Sequence, residues 1–164
     1  MAEEDTSNSS PTRQVVLQRI YLKDASVEVP LAPQVFTRQW NPQLDVQVGT
    51  ATTPLGNDVH QVMLTVTITA KLGEETGFLV EVHQAGIFQI IGFSSDSDTQ
   101  AILAGYCPGT IFPFAREAVA DLIQRSGFPP VLLQPINFEA LYVEHLTRAR
   151  EQAAAGNAVT GTVQ

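Results

Sequence analysis

Through the first half of the chain, apolar and polar residues alternate with a period of two. Leu64, Val66, Ile68 and Ala70 share one face of the run Met63–Ala70, and Thr65, Thr67 and Thr69 share the other. That pattern predicts a half-buried strand. Phe78, Val80 and Val82 alternate in the same way with Leu79, Glu81 and His83. Between the two runs lies Lys71-Leu72-Gly73-Glu74-Glu75-Thr76-Gly77, whose glycines suit a hairpin turn. Leu44, Val46 and Val48 against Gln43, Asp45 and Gln47 predict a third strand. Val15–Val29, rich in branched residues and closed by Pro30, predicts a fourth. From Pro30 to Pro42 the prolines, with Phe36 and Trp40, suit an irregular crossover.

Helical spacing then takes over. Ser97 followed by Gln100 is a capping-box pattern that opens a helix through Ala101, Ile102 and Leu103. Pro113 suits a first helical turn, and Ala115, Ala118, Val119, Leu122 and Ile123 follow at helical spacing. Gly127, Pro129 and Pro130 form a stop signal. Asn137 is a good N-cap for a last helix, with Phe138, Leu141, Tyr142 and His145 on one stripe. Strands gathered before helices predict an α+β fold: a four-stranded antiparallel sheet with helices packed on one face. Segments 1–13 and 149–164 hold too little apolar surface to offset their ordering and read as flexible tails around a domain spanning 14–148. Apolar residues outside the alternation, such as Val16, Ile20, Met63 and Ile91, exceed what a small monomer hides, which predicts self-association.

Composition narrows the function. Nine lysines and arginines stand against seventeen acids in 164 residues, a net charge of -8. With lysine only at positions 23 and 71, the chain is poorly equipped to hold nucleic acid phosphates. No apolar run reaches the roughly 20 residues that cross a bilayer, and the acidic start Met1-Ala2-Glu3-Glu4-Asp5 is no secretory signal. One cysteine, Cys107, precludes an intrachain disulfide. The expectation is one soluble cytosolic domain.

Catalytic signatures are missing. The chain has no glycine-rich phosphate loop and no Gly-x-Ser-x-Gly elbow. His60, His83 and His145 lie on separate elements without His-x-x-x-His spacing. Glu81 and His83 share a strand face; they read as a base with its orienting carboxylate or, more simply, as a solvated ion pair. Cys107 has no local base or cation to activate it and reads as a core thiol. Asp96 and Asp98 sit at a helix start, where the helix dipole favours them. No enzyme, metal or cofactor is expected. Trp40, the single tryptophan, lies in a proline-flanked loop; a loop packed over a sheet edge and a binding groove both fit it. Asp24 and Glu28, four apart on one strand, share a face. With Glu81 on another strand, they read as a solvated face or as a docking patch for a basic partner.

The residues also resemble a known family. Gln18-Arg19-Ile20-Tyr21-x-Lys23-Asp24, Leu72-Gly73-Glu74-Glu75-Thr76, Gly86-Ile87-Phe88 and Tyr106-Cys107-Pro108 are carried in the same order by the SecB protein-export chaperones. So are Phe112-Pro113-Phe114-Ala115-Arg116-Glu117 and Pro135-Ile136-Asn137-Phe138-x-Ala140-Leu141, so that the resemblance covers Val15 to Leu146. It implies an ATP-independent cytoplasmic chaperone that binds unfolded precursors and hands them to the SecA motor at the translocon. It also implies a homotetramer, a dimer of dimers, with no cofactor. Carried over residue by residue, the SecA-docking positions are Asp24, Glu28, Leu79 and Glu81, facing SecA's basic, zinc-bearing tail. The client groove falls on Trp40, Phe78, Phe88 and Tyr142. His60 stands where family members often have tyrosine, and Val80 where some have cysteine. A dedicated antitoxin chaperone is the alternative the resemblance leaves open.

Overall fold

The computed structural model describes residues 12–159. Four strands, β1 (Gln14–Glu28), β2 (Gln43–Gly56), β3 (Val59–Leu72) and β4 (Glu75–Ile91), make one antiparallel sheet in the order β1-β4-β3-β2. Two hairpins join the last three. Between β3 and β4 the chain turns at Gly73, whose φ of 63° a side chain would resist. Between β2 and β3 it turns at Asn57 and Asp58, with φ of 53° and 62°, the left-handed pair that matches strand twist in tight hairpins. Sequence reasoning passed over that second turn. The crossover from β1 to β2 carries one short 3₁₀ turn, Gln34–Thr37.

Strand parity decides what is buried. Val62, Leu64, Val66, Ile68 and Ala70 of β3 face the same side as Phe78, Val80, Val82, Phe88 and Ile90 of β4, and all are buried. Over them lies a continuous helical stretch: α1 (Asp96–Ala101), a wide π turn (Ile102–Tyr106) and α2 (Cys107–Arg125). Leu103, Cys107, Ile111, Phe112, Ala115, Val119 and Ile123 complete the core. At about 1.5–3 kcal/mol for each large apolar side chain taken from water, this layer supplies most of the favourable term. Gly86 lets the helix approach: a Cβ there would sit 3.2 Å from Ile111 and 2.7 Å from the Phe88 ring.

Three details of the helices differ from the sequence reading. The cap of α1 is Ser95 rather than Ser97, its hydroxyl accepting from the Asp98 N–H at 3.2 Å. Pro113 lies inside α2 rather than in its first turn, because the apolar stripe begins earlier, at Leu103, Cys107 and Ile111. Pro108 lacks the N–H that a regular helix would bond to Ala104, and the π turn, closed by the Cys107 N–H on the Ile102 carbonyl, absorbs that interruption. A third helix, α3 (Phe138–Val159), is capped by Asn137, whose side chain accepts from the Ala140 N–H at 3.0 Å. It continues past Arg148 through good helix formers, Glu151, Gln152 and Ala153–Ala155, which stay exposed. Residues 1–11 and 160–164, within the two segments read as tails, lie outside the described residues.

Candidate functional site

Because the helices cover one face of the sheet, the other face is open, and its rows can be read from the register. β1 sets Asp24 opposite His83, Ser26 opposite Glu81 and Glu28 opposite Leu79. β3 sets Thr65, Thr67 and Thr69 opposite the same three β4 residues. One strand further, Gln47 and Asp45 of β2 lie opposite Thr67 and Thr69. Directly opposed residues stand about 4.5–5.5 Å apart at Cβ. Asp24, Glu28, Leu79 and Glu81 are therefore brought together on three adjacent rows. A register shift between Leu22 and Asp24 precedes the patch, and the Asp24 carboxylate accepts the Ala25 N–H at 2.9 Å.

Glu81 is held from two sides. His83 Nε2 lies 2.7 Å from Glu81 Oε1, and the Thr67 hydroxyl donates to Oε2 at 3.2 Å. The Thr65 hydroxyl lies 3.4 Å from His83 Nδ1. The His83 and Thr67 hydrogen bonds keep the Glu81 carboxyl below its ordinary value of 4.5, so it stays ionised at neutral pH. His83 belongs to the patch, a membership the sequence signalled only through its two-residue spacing from Glu81. Toward the other end the open face turns apolar: Tyr21 pairs with Ala85, Met63 also pairs with Ala85, and Ile87 lies between Arg19 and Gln61.

The four proposed groove residues separate. Phe78 and Phe88 point to the helix-covered side and are 1% and 0% exposed. They are core residues, placed there by strand parity, and have no free surface in this chain. Trp40 stacks on Phe78 with ring centroids 5.9 Å apart and meets Phe128 tilted at 4.5 Å; Phe36 joins at 5.2 Å from Phe128. Of the two readings of Trp40, packing over the sheet end is what the structure contains, with half-exposed Phe36 at its rim. Tyr142 is elsewhere, on α3.

A more open apolar surface lies at β2. Leu44, Val46 and Val48 pair with Ala70, Ile68 and Val66, so they point to the helix side, yet they are 42%, 43% and 36% exposed. The α2 layer lies over β4, β3 and the near side of β1 and does not extend across β2, and α3 rests on the π turn. Between β2 and α3 runs a cleft of about 550 Å³ lined by Val48, Thr50, Ala104, Phe138, Leu141, Tyr142 and His145. Gly105 makes the helix seat possible, since a Cβ there would stand 2.6 Å from Glu139 Cγ. Sequence reasoning found the β2 alternation but not its exposure, because alternation does not say how far a helix layer reaches.

Cys107 is fully buried, and burial pushes its thiol up to about 12. Among the described residues no cluster of three or more His, Cys, Asp or Glu side chains is placed to hold a metal ion, and no helix is long and apolar enough to cross a membrane.

The described residues thus combine an open polar sheet face with an apolar cleft on the other side of the sheet. Comparison with known proteins gives the family. Residues 8–149 match the family model described as preprotein translocase subunit SecB. A protein-export protein SecB of Methylococcus capsulatus is 47% identical over 93% of this chain and 96% of its own length. Its counterpart in Chromobacterium violaceum is 52% identical over 87% and 92%. The chain belongs to the SecB family, non-enzymatic chaperones of Sec-dependent protein export. A solved Mycobacterium tuberculosis SecB-like chaperone, in complex with a peptide from the HigA1 antitoxin, superimposes with a TM-score of 0.62. It is 17% identical and covers 75% of this chain and 91% of that one, so the likeness is one of fold.

Proposed function

We propose that the chain holds unfolded precursor proteins in the cytoplasm, without a nucleotide cycle, and passes them to SecA through the acidic rows of its open sheet face. The observation that carries this reading is the division of labour between the faces of one sheet. Asp24, Glu28, Leu79 and Glu81 occupy adjacent rows on the open face, while Leu44, Val46 and Val48 leave an apolar stripe on the other. The client surface is the β2–α3 cleft with Tyr142, continued by the exposed Leu44, Val46 and Val48. Apolar grooves beside an unpaired strand suit extended segments of unrelated sequence, since backbone groups supply hydrogen bonds and side chains only burial. Preferential binding of the unfolded state holds a client there by mass action. Leu17 and Leu22 at the β1 edge, 43% and 50% exposed, support assembly into a dimer of dimers. The antitoxin reading draws on a neighbour alike in fold only, whereas the relatives at 47% and 52% identity are export proteins.

The test separates the two surfaces. Purified protein at stoichiometric ratio is expected to slow refolding of a destabilised precursor without ATP, and Val46→Glu to weaken that holding. Asp24→Lys and Glu81→Lys are expected to weaken SecA binding while holding persists. Unchanged refolding kinetics at excess chaperone would remove the holding function, and intact SecA affinity in both charge reversals would remove the docking patch.

A further inference from the structure

His83 is the one histidine on the acidic face, and its placement is specific. Glu81 is its same-face neighbour along β4, bonded through Nε2 at 2.7 Å. Asp24 is its register partner on β1, and Thr65 its partner on β3. We propose that His83 is a positioning residue that makes docking of a basic partner segment pH-dependent: neutral, it orients Glu81 for the partner; protonated, it competes with the partner for Glu81. This rests on the docking reading above.

The neutral imidazole fits the hydrogen bonds. Its Nε2–H donates to Glu81 Oε1, and its Nδ1 accepts from the Thr65 hydroxyl, while Thr67 holds Oε2. Both carboxylate oxygens are thus fixed in direction with the full negative charge retained. Protonation turns Nδ1 into a donor and puts a positive charge against Glu81. Every other charged group on these rows is an acid: Asp24 and Glu28 on β1, Glu81 on β4 and Asp45 on β2. β3 offers Thr65, Thr67 and Thr69 on these rows, and its Lys71 lies one row beyond them, beside Thr69 and Asp45 and away from His83. Lys23 lies in the register shift beside Asp24, and the charged residues of α2, Arg116, Glu117, Asp121 and Arg125, belong to the layer on the far side of the sheet. A charged His83 therefore subtracts one unit from an otherwise acidic surface, at the carboxylate the partner needs. Histidine as a residue type changes charge between pH 5 and 8, and Glu81, held below 4.5, stays ionised throughout. The switch thus lies in the imidazole alone.

The experiment is titration calorimetry of the full chain with a zinc-loaded peptide of SecA's basic tail, at pH 6 and pH 8 in low salt. The wild type is expected to bind about fivefold more tightly at pH 8, the factor for one charge about 4 Å away in water. His83→Gln keeps an amide donor but no titration, and its pH 6 to pH 8 ratio is expected to fall by the same factor. Comparing variant with wild type cancels titration of the probe itself. His83→Lys, permanently charged, is expected to bind at pH 8 as the wild type does at pH 6. A His83→Gln ratio equal to that of the wild type overturns the proposal. Glu81→Lys run in parallel separates the failures: if it binds like wild type at pH 8, the docking surface is wrong, not merely its pH control.

Discussion

Replacing Phe128 by alanine tests how the crossover is held onto the sheet. Phe128 is 6% exposed and touches three rings at once: Trp40 at 4.5 Å, Phe78 at 5.1 Å and Phe36 at 5.2 Å between centroids. Truncating a buried phenylalanine costs about 3–5 kcal/mol, and each aromatic pair contributes about 0.5–1.5 kcal/mol beyond its buried area. Phe36 and Trp40 sit on an irregular segment that can settle into part of the void, so the lower half of that range is expected, about 3 kcal/mol. For a chain of this size that lowers Tm by about 6 °C or more. Trp40 is the only tryptophan, so fluorescence excited beyond the tyrosine absorption band reports this cluster. Phe128→Ala is expected to shift Trp40 emission to longer wavelength as the indole gains water. Phe112→Ala is the control: Phe112 is 4% exposed and pairs with Phe138 at 5.8 Å, away from Trp40. It should lower Tm without moving the emission. Emission unchanged in Phe128→Ala, with Tm lowered by less than about 2 °C, would show that the cluster does not anchor the crossover.

Three further outcomes follow from two buried positions. Cys107, raised to about 12, should react with iodoacetamide at pH 8 roughly a thousandfold more slowly than an ordinary thiol until the protein unfolds; fast labelling of the native protein would contradict its burial. Its folded value lies above the unfolded 9.0, so the stabilisation is complete below pH 9 and is lost as pH climbs toward 12. By pH 10.5 the wild type should lose about 2 kcal/mol relative to Cys107→Ala, read from urea unfolding at both pH values. Gly105→Val should push α3 off the π turn at a cost of about 1–3 kcal/mol, raising amide exchange in α3 while β3 stays protected. Equal protection of α3 in both proteins would show that Gly105 is not its seat.

The sheet was legible because its signal is local. Alternation over Met63–Ala70 and Phe78–His83 names the buried face, and the register confirms it residue by residue. Asp24 and Glu28 could be placed on one face from parity alone, whereas Glu81 joins them only through the β1–β4 register, and the register shift before Asp24 is invisible to counting. Parity also contains the fact that misplaced Phe78 and Phe88: both belong to the even-numbered face that carries Val80 and Val82, hence to the core. They were assigned to a groove by family likeness, which does not report which surface this chain leaves free. The reach of α2 across the sheet, and therefore the exposure of Leu44, Val46 and Val48, depends on helix placement, and no strand pattern encodes that.

One local interruption carries much of that placement. Pro108 cannot donate to Ala104, so the helix widens into the π turn at Ile102–Tyr106. Within this turn Gly105 supplies the bare surface on which Glu139 and the start of α3 rest, and Ala104 lines the cleft beside Phe138 and Tyr142. A regular helix through the same residues would rotate Ala104 and Gly105 by a fraction of a turn and remove the seat. The cleft over β2, walled in part by Phe138 and Tyr142, thus owes its position to a proline that breaks a hydrogen bond and a glycine that permits contact. Enlarging Gly105 therefore ought to change client holding together with α3 protection, while leaving the Asp24, Glu28 and Glu81 rows on the opposite face, and SecA binding with them, untouched.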